Sequence, residues 1–130
     1  MKISAAKARA LGIVPGSPRK RPEPQGRYPG FPSLCELHGL PRPQPEYPFA
    51  KGIGRRWRMD FCWVAEKLFL EVQGSIFTQG RHTRGASLLK EFEKLNAASA
   101  MGYRPLFCTP KDVNSGAVIE TIRRALEVAS

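Results

Sequence analysis

The 130-residue sequence has only two histidines, three cysteines and no long apolar run. Without roughly 20 consecutive apolar residues, no segment is expected to cross a bilayer as a helix. Lys7 and Arg9 interrupt the N-terminal region where a signal peptide needs an apolar core. Three widely spaced cysteines neither build a disulfide framework nor show a zinc-binding spacing. We therefore expect a soluble cytoplasmic protein with reduced thiols and no membrane partner.

Acidic residues are also scarce, and the resulting positive charge indicates a polyanionic partner. Lys and Arg number 21 against 11 Asp and Glu, which gives a net charge of +10. Clustered basic side chains gain free energy by releasing counterions from nucleic acid phosphates. Residues 1–30 are rich in Pro and Gly and carry +6 of this charge, with seven basic side chains and one acidic. We expect residues 1–30 to be a basic arm and residues 31–130 to be one compact domain.

The compact part is predicted to begin with a short helix near Phe31. In "PSLCELHGL", Ser33 is a candidate N-cap, Leu34 and Leu37 are expected to face the core, and Gly39 is a stop signal. "QPEYPF" then predicts a proline-bearing strand at a sheet edge. "RRWRMDFCWV" and "KLFLEVQG" predict two strong strands of a β-hairpin, separated by Ala65-Glu66.

The second half of the chain predicts a crossover helix, a fourth strand and a closing helix. The segments are "ASLLKEFEKLNAASAMG", "YRPLFCT" and "GAVIETIRRALEVA". Helical spacing predicts inward-facing positions at Leu88, Phe92, Leu95, Ser99, Val118, Ile122 and Leu126. A strand that follows a crossover helix most easily returns parallel to an existing strand. The expected fold is therefore a mixed α/β (α+β) arrangement with a four-stranded mixed sheet flanked by helices.

Two carboxylates occupy the middle of the apolar hairpin. With a two-residue loop, paired residue numbers sum to 131, so Asp60 should lie opposite Glu71. Like charges placed opposite each other need compensation, and a divalent ion such as Mg²⁺ or Mn²⁺ supplies it best, because carboxylate oxygens are its preferred ligands. The alternative is a pair of surface charges on a solvated face, with Arg58 as their partner.

Several stretches of the chain resemble the PD-(D/E)XK nuclease superfamily. The predicted element order over residues 31–110 matches its core, and its signature of Asp on one strand and Glu-X-Lys on the next falls on Asp60 and on Glu71-Val72-Gln73. "RRWRMDFCW", "LEVQG", "GRHTRG" and "EKLNAASAMGYRPL" resemble a group of small endonucleases encoded by phages and prophages. The sequence departs from the pattern because no proline precedes Asp60 and Gln73 replaces the usual lysine.

The resemblance implies roles for individual residues. Asp60, Glu71 and the Val72 carbonyl would bind Mg²⁺ or Mn²⁺, and Gln73 would orient the attacking water. Glu36, on the first helix, matches an acidic residue that many members bring near the metal, although it also suits an exposed helical position. The positive charge that Gln73 lacks would come from Arg58, which lies opposite Gln73 in the derived register and is the nearest candidate. Lys90 or Lys94 on the crossover helix could substitute for it.

The segment "QGRHTRG" follows the metal-bearing strand and is predicted to be a loop. Arg81 and Arg84, together with Lys90 and Lys94, are candidates for contact with nucleic acid phosphates. His82 is a candidate general acid or base because its ordinary pKa lies near neutrality. The alternative is a solvated polar loop without a catalytic role.

These expectations together favour a Mg²⁺-dependent endodeoxyribonuclease, with residues 31–130 as the nuclease domain. Its partner would be DNA, with RNA also open, in a bacterial or phage-infected cell, and a homodimer is possible for cutting both strands. The alternative is a non-catalytic nucleic-acid-binding protein on a degenerate nuclease fold, because Gln73 cannot carry the charge of the usual lysine.

Overall fold

The computed structural model describes residues 26–74 and 81–129; within these ranges, only the backbone is described for residues 81–84, 128 and 129. Four helices, one 3₁₀ turn and four strands are named here in chain order: α1 Phe31–Leu37, β1 Gln44–Tyr47, the 3₁₀ turn Lys51–Ile53, β2 Met59–Trp63, β3 Leu68–Val72, α2 Arg81–Ala100, β4 Arg104–Cys108, α3 Pro110–Ser115 and α4 Val118–Ala129. No helix in this part of the chain combines the length and apolar character needed to cross a membrane.

The four strands form one mixed sheet in the order β1-β2-β3-β4. β1, β2 and β3 are antiparallel neighbours, whereas β4 returns parallel to β3 after α2. Phe61 lies opposite Leu70 and Trp63 opposite Leu68, so the predicted register of the hairpin is confirmed. The coarse prediction of a mixed sheet flanked by helices, with β1 at its edge, is also confirmed.

Each face of the sheet carries its own core. On one face, Phe61, Trp63 and Leu70 pack with Phe31 of α1 and Ile122 of α4. The predicted inward positions Val118, Ile122 and Leu126 are confirmed on this side, with Leu126 partly buried. Burial of these side chains removes apolar surface from water, which is the main favourable term in folding.

The second core lies on the opposite face, beneath α2. Cys62 and Phe69 pack there with Ala98 of α2 and with Tyr103. Met59 belongs to this cluster as well, although strand alternation predicts it beside Phe61. This prediction was wrong. Backbone pairing between β2 and β3 ends at Phe61, so the alternation of side chains between the two sheet faces does not extend to Met59.

Helix α1 begins two residues before its predicted cap. Its N-cap is Gly30 without a side-chain cap, so Ser33 lies inside the helix and was wrongly predicted to cap it. The earlier start turns Phe31 and Cys35 into the core, with Leu34 partly buried against it, whereas the Leu37 side chain is 79% exposed. Inward packing of Leu37 was therefore wrongly predicted.

Helix α2 begins at Arg81, so the predicted loop "QGRHTRG" is helical from that residue onward. Its face toward the sheet differs in part from the prediction. Leu95 packs against the second core as predicted, whereas Leu88, Phe92 and Ser99 are exposed and Ala98 is buried. The apolar periodicity therefore identified the helix but not its rotation.

The short helix α3 was not predicted, although its start carries a clear signal. Thr109 accepts a hydrogen bond from the Asp112 N–H, and the Asp112 side chain accepts one from the Thr109 N–H. This reciprocal capping box, with Pro110 in the first turn, is a recognised helix start. The sequence "TPKD" could have predicted it.

The three cysteines are Cys35, Cys62 and Cys108, which all lie in the part of the chain that the structure describes. Each is buried and outside any disulfide, as the sequence predicts. Burial raises the pKa of each thiol to about 12. Because the thiolate is the reactive form, these cysteines are packing residues rather than nucleophiles.

The two leucines at opposite extremes of exposure provide a test of this core. Leu70 is fully buried in β3, so Leu70→Ala should destabilise the fold by about 2–5 kcal/mol through lost burial and a residual cavity. Leu37→Ala should change the free energy of unfolding by no more than about 0.5 kcal/mol. Urea unfolding of both variants measures the difference, and similar losses would contradict the assigned positions.

Candidate functional site

Asp60 and Glu71 meet at the point where the β2–β3 backbone ladder ends. The Asp60 N–H donates to Glu71 Oε2 at 3.1 Å, and the Val72 N–H donates to Asp60 Oδ2 at 2.7 Å. Each carboxylate therefore accepts a hydrogen bond from the backbone of the opposite strand. The predicted juxtaposition of the two acids is confirmed, and both side chains are held in place by main-chain donors.

Lys94 supplies the positive charge at this pair. Its Nζ lies 2.8 Å from Glu71 Oε1, and the side chains of Lys94 and Glu71 are only 13% and 6% exposed. A buried carboxylate needs such a partner because removing its charge from water is costly. Among the basic residues that the sequence suggested, Lys94 makes the ion pair, whereas Arg58 and Lys90 are exposed.

Burial raises the pKa of Glu71 to about 7, and the neighbouring Asp60 charge adds to the rise. Lys94 acts in the opposite direction, as do its hydrogen bond and that of the Asp60 N–H, but these effects do not offset the burial. Glu71 therefore binds a proton at higher pH than an ordinary glutamate does. A carboxyl group in this condition responds strongly to any additional cation placed beside it.

A second acidic side chain adjoins Asp60 from the edge strand. Pro45 and Tyr47 pair with Phe61 and Met59, so Glu46 falls beside Asp60 in the β1–β2 register. Glu46 has a positive φ of 51°, and it lines a cavity of about 10 Å³ together with Asp60. Sequence reasoning missed Glu46, although extending the strand register to "QPEYPF" could have placed it.

Glu91 is a further acid that the sequence analysis overlooked. It precedes Lys94 by three residues on α2 and so lies on the same side of that helix. Its Oε2 is buried and has no hydrogen-bond partner in the described part of the protein. A buried acceptor without a donor is unusual and suits contact with a cation or water.

The other predicted site residues are not brought to the pair by described side-chain contacts. Glu36 forms an ion pair with Arg42 at 3.0 Å and is about half exposed, as its alternative interpretation expected. The Gln73 backbone N–H donates to the Cys108 carbonyl at 2.7 Å, which extends the sheet. The side chains of Arg81, His82 and Arg84 lie outside the described ones, so their roles remain predictions.

The donor set at the pair fits a divalent ion that keeps part of its water shell. Asp60 and Glu71 carry hard carboxylate oxygens on neighbouring strands, and Mg²⁺ is commonly held by one or two carboxylates plus phosphate oxygens. Within residues 26–74 and 81–129, no group of three or more His, Cys, Asp or Glu side chains could enclose a metal ion.

Searches of protein-family models, curated proteins and solved structures found no match to this chain.

The raised pKa of Glu71 predicts a pH-dependent stability. The folded protein binds the Glu71 proton more tightly than the unfolded chain, in which this carboxyl group has its ordinary pKa of 4.5. The resulting stabilisation is complete below about pH 4.5 and is lost as the pH rises through about 7. Without metal, the free energy of unfolding should therefore decrease between about pH 5 and 8. Glu71→Gln should make this decrease smaller by about 1–3 kcal/mol.

Urea unfolding at several pH values in EDTA measures this effect, with exposed Glu36→Gln as the control. Glu71→Gln also leaves Lys94 without its anion, so an overall loss of stability is expected at every pH. An unchanged pH slope in Glu71→Gln would contradict the assignment.

Proposed function

We propose that this chain is a metal-dependent endonuclease that hydrolyses DNA phosphodiester bonds on a core of the PD-(D/E)XK type. The observation that carries the proposal is the Asp60–Glu71 pair, held by backbone donors on neighbouring strands and joined by buried Lys94. Two fixed carboxylates and one cation in a basic protein are suited to phosphate chemistry.

The element order supports the same proposal. A helix, three antiparallel strands, a crossover helix and a parallel fourth strand follow one another along the chain. This is the order that the resemblance implies for the nuclease core. Asp60 and Glu71 lie on its second and third strands, where the family carries its signature acids.

Asp60 and Glu71, with the Val72 carbonyl, would hold Mg²⁺ or Mn²⁺ at this position. When bound, the ion would polarise the scissile phosphate and lower the pKa of the attacking water. The Val72 and Asp60 N–H groups keep the two carboxylates in place before substrate arrives. Such preorganisation lowers the reorganisation required during the reaction.

Lys94 would supply the positive charge that Gln73 lacks. Its ammonium group already lies against Glu71, in the same site where a phosphate would be bound. With the Glu71 charge taken up by the ion, Lys94 would be free to contact the phosphate and stabilise its developing negative charge. Gln73, next to Val72, would orient the water through its amide, which both donates and accepts hydrogen bonds.

Affinity for DNA would come mainly from basic residues other than Lys94. Arg56 and Arg58 are exposed just before β2, and residues 1–30 add most of the net charge. Contacts of this kind bind the backbone without reading its sequence, so binding should weaken as salt increases. Cleavage of both strands would require two sites, which a homodimer could provide.

One observation favours a non-catalytic nucleic-acid-binding protein instead. Lys94 already pairs with Glu71 within the chain itself, so this carboxylate has a cationic partner without a metal ion. Under this alternative, the chain would bind nucleic acid through its basic surface, and the carboxylates would serve only the fold.

A cleavage assay distinguishes the two functions. Plasmid, single-stranded and branched DNA, and RNA, are incubated with Mg²⁺ or Mn²⁺ and then with EDTA. We expect cleavage of DNA that stops in EDTA and in Asp60→Asn, because that variant weakens metal binding while keeping the hydrogen bond from Val72. Salt-sensitive binding without cleavage of any substrate would favour the alternative.

Lys94 and Lys90 form a matched pair for testing the cation. Lys94→Met should lower the cleavage rate by about 10²–10³-fold, comparable to losing one electrostatic contact to the transition state. Lys90→Met, one turn earlier and exposed, should retain cleavage and lose only some affinity at low salt, with a smaller salt dependence of binding. Equal rates in the two variants, with both folded by circular dichroism, would remove Lys94 from the mechanism.

A further inference from the structure

A second pocket lies near the candidate site and has no role in the proposed chemistry. It has a volume of about 350 Å³ and is formed by the segment before α1, by α1 itself and by the end of α3. Its lining includes the side chains of Arg27, Tyr28, Phe31, Leu34, Val113 and Asn114.

The lining combines an aromatic and apolar interior with two polar groups. Tyr28 is partly buried against the first core, and the pocket also borders buried Phe31 and Val113. The guanidinium carbon of Arg27 lies 5.8 Å from the centre of the Tyr28 ring, and exposed Asn114 adds an amide. Aromatic rings stack on nucleobases, and arginine and asparagine bind phosphates and base edges.

The volume suits one flat heterocycle rather than a duplex. Pockets for small ligands begin at about 300 Å³, so this pocket is at the small end of that range. A base inside a duplex is stacked and paired, and it enters such a pocket only if it is already unpaired or is extruded from the helix. The net charge of +10 favours a nucleic acid over a neutral or cationic ligand.

The pocket adjoins the carboxylate site through a shared wall. Arg27 and Tyr28 also line the small cavity that contains Glu46 and Asp60. Gly26 has a φ of +71°, and a side chain there would begin 2.8 Å from Glu46 Oε2. The segment leading into Arg27 is therefore packed closely against Glu46, beside Asp60.

We propose that this pocket, here called the base pocket, binds an unpaired nucleobase of the nucleic acid strand whose phosphate reaches Asp60 and Glu71. The base stacks on Tyr28, Arg27 contacts the adjoining phosphate, and Asn114 contacts the edge of the base. The inference rests on the proposed function for the role of that phosphate. It assigns single-stranded or branched DNA, rather than intact duplex, as the substrate class.

Binding in EDTA tests the base pocket independently of cleavage. The probe is a single-stranded oligonucleotide of about 12 nucleotides, within the usual range of single-strand sites, that contains fluorescent 2-aminopurine. We expect stacking to quench its fluorescence and expect tighter binding than for the same sequence as a duplex. Equal affinity for the two forms would overturn the proposal.

Tyr28 and its conservative replacement provide the matched variants. Tyr28→Ala should weaken single-strand binding by about 5–100-fold and abolish the quenching, because one stacked base is lost. Tyr28→Phe keeps the ring and should bind within about twofold of the unmodified protein, since stacking requires only the aromatic face. Asn114→Ala, at an exposed position, gives a second variant that should not disturb the core.

Crosslinking with 5-iodouracil in the same oligonucleotide locates the base. We expect adducts within residues 27–34 or at Val113 and Asn114. Adducts found only elsewhere in the chain would overturn the proposal. Quenching of 2-aminopurine by a protein that cleaves no DNA would refute only the proposed nuclease function. Cleavage without single-strand preference and without a Tyr28 effect would refute only the base pocket.

Discussion

The arrangement of this protein depends on the burial of one carboxyl group, that of Glu71, in the sheet. A charge in that position is costly unless nearby groups satisfy it, and here the Asp60 N–H and the Lys94 ammonium do so. Because Lys94 comes from α2, the ion pair ties the crossover helix to β3 and helps to set its rotation. The helix then places Ala98 on the sheet and leaves Leu88 and Phe92 largely exposed.

The same interaction explains which features could be predicted from the sequence. Strand pairing follows a two-residue period and a short loop, so the positions of Asp60 and Glu71 could be derived by counting. The face of α2 that packs on the sheet could not be derived in this way. The apolar residues of the helix suggest one packing face, whereas the contact between Lys94 and Glu71, which are 23 positions apart, selects another. Hydrophobic periodicity contains no information about such an ion pair.

Features near the start of the compact part were missed for a different reason. Arg27, Tyr28 and Glu46 lie in stretches rich in Pro and Gly, whose composition indicates arm or edge. In the structure, Tyr28 packs against the first core, and its carbonyl accepts a hydrogen bond from the Phe31 N–H at 3.1 Å. Composition indicates which local structure a segment can form in isolation. The positions of these residues depend instead on contacts with the neighbouring sheet and helices.

Under the proposed function, the electrostatic balance of the site would suit a phosphate that arrives together with an ion. Two ionised carboxylates alone would repel DNA, but Lys94 offsets one of them and the high pKa of Glu71 lowers its charge further near neutrality. The basic surface can therefore attract the polyanion without strong repulsion from the centre. A divalent ion would favour full ionisation of Glu71 and weaken its hold on Lys94. Positive charge would thus become available to the substrate at the same time as the metal site forms.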